Sequence, residues 1–176
     1  MRDILRNVVL TILGSLKSPK AGVHIINSHY VMPGKVSVKK FEAIYEDYIK
    51  YLLSFGKIIS IDDAVMLITN NKIPKNDVLF CLTYDDGFEE CYTIIAPILE
   101  KHGCKATFFI NSNYIEADEA YKEEFNSRVH NNDKKAMNWT QIKLLHEKGH
   151  MIGSHGLDHK NFSLLSDEEI EKQVNE

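Results

Sequence analysis

Two groups of residues in this chain could do chemistry together. The first is the acidic pair Asp85-Asp86, which follows the apolar run Val78–Leu82 and is closed by Gly87. Adjacent carboxylates repel, so one is driven toward protonation unless a cation or a strong donor neutralises it. The second is the pair His155 and His159, four residues apart in Gly153-Ser154-His155-Gly156-Leu157-Asp158-His159. Imidazoles at that spacing can reach one ion from a helical turn or a tight loop. With one carboxylate they make the two-His-one-Asp set that leaves zinc an open position for water or substrate. Each half alone has a plain reading, since Asp-Asp-Gly is a common turn and His-x-x-x-His occurs by chance. The combination, with each half at the end of a predicted strand, carries the argument.

The elements that must position these groups follow from the flanking sequence. An apolar run bounded by Asp77 and Gly87 reads as a strand buried on both faces, the kind found in parallel sheets. Its C-terminal end is where ligands bind in sheets and barrels built of strand-helix units. Val23–Tyr30 predicts the first strand, with His29 near its C-terminal end and His24 as a structural residue at the other. In a parallel sheet His29 shares the mouth with Asp85 and Asp86, either touching substrate or moving a proton, or as a hydrogen-bonded structural histidine. Lys105–Ile110 predicts a further strand that delivers Asn111, Ser112 and Asn113 to the same mouth, where they could touch a sugar or simply form a loop. Met151–Ser154 is a short strand presenting His155.

The sequence resembles a known family, the polysaccharide deacetylases with a NodB-type domain (carbohydrate esterase family 4). Thr83-Tyr84-Asp85-Asp86-Gly87 resembles its T-F-D-D-G motif, Ser154-His155-Gly156-Leu157-Asp158-His159 its S-H-[ST]-x-x-H motif, and Ala106-Thr107-Phe108-Phe109-Ile110 one of its strands. The resemblance implies a divalent metal, zinc in the first instance, held by Asp86, His155 and His159, with Asp85 as catalytic base. It runs from about Val23 to the end of the chain. The family's later motifs, which supply an acid histidine and an arginine that holds the base, have no match before Glu176, leaving His29 as the in-chain candidate acid. Gly156 stands where the family has Ser or Thr, removing a hydroxyl expected to brace the histidine loop. The implied fold is α/β, a distorted (β/α) barrel of the polysaccharide deacetylase type, incomplete in this chain. The implied activity is metal-dependent hydrolysis of N-acetyl or O-acetyl groups on an amino-sugar polysaccharide or glycan precursor. A carbohydrate-binding or scaffold protein that turns nothing over, and a metal amidase of small substrates, are the alternatives.

Composition narrows the classes further. The chain has 176 residues, 44% hydrophobic and 26% charged, enough for one sizeable core. A net charge of -4 and a pI near 6.1 give no basic footprint for nucleic acid. The partner that the family resemblance implies is a carbohydrate substrate. Three cysteines, with Cys81 inside the predicted central strand, argue against a disulfide framework and for a reducing, cytoplasmic setting, with the cell envelope as the alternative. No apolar run approaches the ~18 residues that span a bilayer, and membrane contact is not expected. Residues 1–20 read as an amphipathic helix packing on a domain formed by residues 21–176. Arg2 and Arg6 ahead of Val8–Leu13 loosely imitate a signal or membrane-surface segment, but Asp3 interrupts the charged region and no Ala-x-Ala site follows.

The remaining elements are helices. Phe41, Ile44, Tyr45, Tyr48, Ile49 and Leu52 follow helical spacing, with Ser37 as N-cap and Gly56 as stop. Ile58–Ser60 predicts a short strand, and Ser60 a cap for a helix through about Asn70. Cys91, Ile95, Ile98 and Leu99 predict a helix ending near Gly103 that Pro97 must kink or restart. Residues 112–138 read as a lid or insertion with a short helix near Glu116–Phe125 and a solvated His130. Thr140 is the expected cap of the next helix, with Trp139 as a hydrophobic staple, and Ser166–Glu169 is a capping box for the last. Five strands alternating with helices predict an α/β barrel or an open parallel sheet.

Overall fold

The computed structural model describes residues 18–29, 36–129 and 134–175. The expected N-terminal amphipathic helix, the turn after Tyr30 and His130 lie outside the described residues.

Five strands form one parallel sheet: β1 (Gly22–Ser28), β2 (Lys57–Ile58), β3 (Val78–Tyr84), β4 (Thr107–Ile110) and β5 (Met151–Ser154). The order is β1-β3-β4-β5. β1 lies along β3 for its whole length, from Gly22 opposite Val78 to Ser28 opposite Tyr84. The other edge of β3 is shared, since β2 pairs with Leu79 and Phe80 and β4 with Thr83 and Tyr84. β3 therefore has neighbours on both edges, and every residue from Leu79 to Tyr84 is buried, as its unbroken apolar run requires. The parallel register brings the C-terminal ends of β1, β3, β4 and β5 to one mouth. Asp85 N–H donates to Ser28 O, and His155 N–H donates to Ile110 O.

Helix α1 (Val38–Phe55) buries Phe41, Tyr45, Ile49 and Leu52 on one face, and packs on β2 and on α3 (Ala96–Lys101). Ser37 takes the N-cap position but makes no side-chain capping bond. Gly56 ends the helix for a different reason than conformational freedom. Its backbone is extended, and a Cβ there would lie 1.8 Å from Val78 O, so only glycine lets α1 turn this close to β3. Helix α2 (Ile61–Thr69) is capped by Ser60, whose hydroxyl accepts from Asp63 N–H at 3.1 Å.

Between Gly87 and α3 the chain makes a widened π-helical turn over Cys91–Ile95. Pro97 has no N–H to continue the ladder, so the helix restarts with Pro97 in its first turn. Strand β4 starts at Thr107 rather than Lys105, because His150 Nδ1 accepts the Ala106 N–H at 3.2 Å in place of a ladder partner.

The 112–138 segment is packed rather than loose over its described part. Tyr114 stacks on Phe125 at 4.0 Å between ring centroids and meets Phe88 edge-on at 6.1 Å, giving a small core of its own. Helix α4 (Glu119–Arg128) starts later than expected, behind the cap Asp118, whose Oδ1 accepts from Tyr121 N–H. Helix α5 (Trp139–Glu147) corrects the sequence reading. Its cap is Asn138, in a capping box with Gln141, so Trp139 is the first helical residue, 46% exposed, and no staple. Thr140 lies within that first turn. Helix α6 (Asp167–Asn175) begins at the expected box, with Ser166 N–H donating to Glu169 Oε2 at 2.9 Å. No helix among the described residues is long and apolar enough to cross a membrane.

Phe108 is fully buried at the centre of the main core, 5.5 Å from the Tyr84 ring and 5.3 Å from that of His150. Full burial of one such side chain contributes about 1.5–3 kcal/mol. All three cysteines are buried and unbridged.

Candidate metal centre and active site

The mouth of the sheet brings together all five residues singled out from the sequence. Asp85 and Asp86 leave the end of β3, His155 follows β5, His159 closes the loop after it, and His29 follows β1. His155 Nε2 lies 3.6 Å from Asp86 Oδ1, and His159 Nε2 lies 3.5 Å from the same oxygen. The ligand-type atoms of Asp86, His155 and His159 all fall within 4.8 Å of one another. The two imidazoles stand edge to face, 5.0 Å between centroids.

Two observations test whether this set suits a cation. Asp86 Oδ1 and His155 Nε2 are buried atoms that lack a hydrogen-bond partner among the described residues, a costly condition for polar groups unless something else satisfies them. The electrostatics point the same way. Burial raises the Asp86 carboxyl above the usual range, and Asp85 adds repulsion, while His159, His155 and His29 pull it back down. Burial lowers the His155 imidazole, favouring the neutral form with a free lone pair. One carboxyl oxygen and two imidazole nitrogens gathered in this way form a donor set suited to zinc, and a cation there would offset the burial that disfavours the charged form of Asp86. Asp86 and His159 also hold positive φ angles, 73° and 54°, rare for non-glycine residues and concentrated at functional sites.

Asp85 faces the other side of this cluster. Its Oδ2 lies 4.0 Å from His155 Nε2 and 3.2 Å from His29 Nε2, and His29, Asp85 and His155 form a second group whose ligand atoms lie within 4.8 Å. The His29 side chain is 55% exposed, so it stands at the rim of the mouth. Asn27 Nδ2 donates to Asp85 Oδ2 at 2.9 Å, and Thr83 Oγ1 donates to Asn27 Oδ1 at 2.9 Å. Sequence reading missed Asn27. The available signal was its two-residue spacing from His29, which puts both on one face of an extended chain.

The residues after β4 act differently from expectation. Asn111, expected either to touch a sugar or to form a loop, is fully buried and donates to His155 O at 2.7 Å and Gly156 O at 3.3 Å. Asn113 Nδ2 donates to Asp158 Oδ1 at 2.7 Å. Both amides brace the histidine loop. Gly156 has φ +77°, where a β-carbon is strained, and Ser154 Oγ accepts its N–H at 3.1 Å. The bracing that a hydroxyl at 156 was expected to give is thus supplied by neighbours.

Comparison with known proteins gives this geometry a family. The family model for polysaccharide deacetylases matches residues 72–176, which include Asp85, Asp86, His155 and His159. This chain belongs to the polysaccharide deacetylase family. It is 26% identical to the Bacillus subtilis protein YxkH over 158 residues, covering 88% of this chain and 49% of that protein. It is 27% identical to the peptidoglycan-N-acetylglucosamine deacetylase PgdA of Listeria monocytogenes over 177 aligned positions, covering 92% of this chain and 31% of the enzyme. Among solved structures, the Streptococcus pyogenes deacetylase PplD in complex with acetate shares the fold at a TM-score of 0.64 and 17% identity, over 90% of this chain and 66% of that one. IcaB from Ammonifex degensii shares it at 0.61 and 20% identity, over 78% of this chain and 54% of that one. The chain spans half or less of the length of these two curated relatives. Its parallel sheet is the α/β architecture expected, with the strand-helix units of an incomplete barrel.

Proposed function

We propose that this polysaccharide deacetylase family member is a metal-dependent hydrolase that removes acetyl groups, N-linked in the first instance, from an amino-sugar polysaccharide or glycan precursor. The observation that carries the reading is the convergence of Asp86, His155 and His159 on one point with the Asp85 carboxylate beside it. The peptidoglycan-N-acetylglucosamine deacetylase among its relatives supports the substrate class.

Asp86, His155 and His159 are the residues that would hold the ion, zinc first by the chemistry of the donors. When bound, such an ion polarises the acetyl carbonyl and lowers the pKa of water toward about 7. Asp85 is the general base. Its Oδ2 is taken up by Asn27 and faces His29, which fixes the carboxylate plane and leaves Oδ1 to accept the proton of the attacking water. His29, exposed at the rim, is the candidate donor of a proton to the leaving amine. A general acid or base of this kind contributes roughly 10²–10⁴-fold.

The experiment is acetate release from an N-acetylglucosamine oligomer by the zinc-loaded protein. Asp85→Asn should abolish release and leave zinc uptake intact, whereas His159→Ala should lose both. Equal turnover by Asp85→Asn removes the base assignment. No release by the zinc-loaded protein from oligomers or small acetamides favours a carbohydrate-binding role instead.

A further inference from the structure

The segment His155–Asp158 has no regular secondary structure, yet both backbone groups of each of its four residues are partnered. His155 N–H goes to Ile110 O, and His155 O and Gly156 O both accept from Asn111. Gly156 N–H goes to Ser154 Oγ, and Leu157 O accepts from Asn113 N–H. The remaining two N–H groups, of Leu157 and Asp158, both donate to Gln173 Oε1 at 3.1 Å, and Asp158 O accepts from Arg128. Gln173, only 4% exposed on α6, is thus an amide buried in order to hold a loop.

Asp158 closes the arrangement. Its Oδ1 accepts from Asn113 Nδ2 at 2.7 Å and from the Tyr121 hydroxyl at 2.6 Å, and its Oδ2 accepts from Gln173 Nε2 at 2.8 Å, with Lys160 Nζ 3.8 Å away. One carboxylate between the two histidines therefore ties the loop to the turn after β4, to helix α4 of the insertion and to helix α6. Its neighbour His159 sits in a left-handed backbone conformation that an unsupported chain would rarely keep.

We propose that Asp158 and Gln173 are positioning residues that set the metal affinity of the site by holding His155 and His159 at ligand spacing. The inference rests on the metal reading above. Neither residue touches the donor cluster. They act through the loop backbone, as groups behind metal ligands do when their loss weakens binding. The clamp also has a defined polarity: Gln173 accepts twice through its oxygen and donates once through its nitrogen, and the carboxylate of Asp158 only accepts.

That polarity provides the test. Zinc alone is titrated into the full chain against a chromophoric chelator. Gln173→Ala and Asp158→Asn should each weaken zinc binding by about 10–100-fold. Asp158→Asn sets an amide donor against the Gln173 donor, or against Asn113 and Tyr121 if it flips. Adding Gln173→Glu restores the pattern, because the introduced carboxylate accepts both backbone N–H groups and the introduced amide. The double variant should bind zinc nearly as the unsubstituted chain does. Single variants that bind as tightly as that chain, or a double variant as weak as Asp158→Asn, overturn the proposal. Failure of the unsubstituted chain to take up zinc overturns the metal reading itself. Folding is checked by the thermal midpoint. Should either single variant not fold, Tyr121→Phe removes one 2.6 Å bond to Asp158 and must weaken zinc binding in the same direction, or the clamp is wrong.

Discussion

Asn27 Nδ2 donates to Asp85 Oδ2 at 2.9 Å, from a neighbouring strand 58 residues away in sequence. The amide is itself fixed by Thr83, so two side chains on two strands set the plane of one carboxylate. If Asp85 is the base, Asn27→Ala leaves it free to rotate without changing its chemistry. We expect kcat for acetate release to fall by about tenfold or more, with KM and zinc affinity little changed. Steady-state kinetics beside a zinc titration decide it, and a matching loss of zinc affinity would show that Asn27 serves the ligands instead.

His159→Ala removes one of three proposed ligands and leaves Asp86 with a single imidazole at 3.6 Å. Zinc affinity should fall by more than the roughly 10–100-fold seen when only a supporting group is lost. Zinc should also raise the unfolding temperature of the unsubstituted chain and not of this variant, because a ligand that binds only the folded state stabilises it by mass action. Thermal scans with and without zinc read both.

Gly56→Ala tests the close approach of α1 to β3. At an ordinary helix end with extended φ, alanine is tolerated. Here its methyl group would meet Val78 O at 1.8 Å, so the end of α1 must move away from the sheet. We expect a loss of about 1–3 kcal/mol, the usual cost of overpacking, read as a lower urea midpoint.

His150 gives the fold an acid limit. Burial first, and then Lys105, lower its imidazole below the usual value, while Glu100 pulls upward without prevailing. Glu100 faces it at 3.4 Å and is itself paired with Lys148 at 3.1 Å. The folded chain keeps this histidine neutral where the unfolded chain protonates it. Its contribution is fully present above about pH 6.5, the unfolded value, and is lost as pH falls from there toward the lowered folded value. In zinc-free buffer the unfolding midpoint should therefore drop between pH 7.5 and 5.5. His150→Asn, which still offers an acceptor to Ala106 N–H and cannot charge, should shrink that drop. His155, also lowered by burial, keeps a residual decline of the same sign. An unchanged drop in the variant would clear His150 of the role.

The parallel sheet, the central strand and the convergence of Asp85, Asp86, His155 and His159 were legible because they rest on local signals: an unbroken apolar run, a turn residue after it and two motifs. Helix boundaries were readable where caps compete weakly, as at Ser60 and Ser166, and misread at Thr140, where Asn138 with Gln141 offers two reciprocal bonds against one. What stayed hidden depends on distant pairs. Nothing near Gln173 announces that its amide serves Leu157 and Asp158, and nothing near Asn27 announces Asp85. Asparagine after a strand reads as a loop former or a sugar contact, and nothing local shows that the amides of Asn111 and Asn113 go to the carbonyls and the Asp158 carboxylate of the histidine loop. Gly56 reads as a helix stop, and only the position of Val78 shows that room is what it supplies.

The pairing of β1 with β3 carries a temporal consequence. Gly22 meets Val78 and Ser28 meets Tyr84, so β1 lacks its β3 partner until some fifty further residues have been made. At the roughly 5–20 residues per second of synthesis, that wait lasts seconds. Throughout it β1 keeps an open edge and its isoleucines uncovered, the condition in which nascent chains adhere to one another. Slowing translation once Tyr84 has cleared the ribosome would lengthen the time available for β1 and β3 to find each other, whereas a pause before Val78 is made would prolong the exposure.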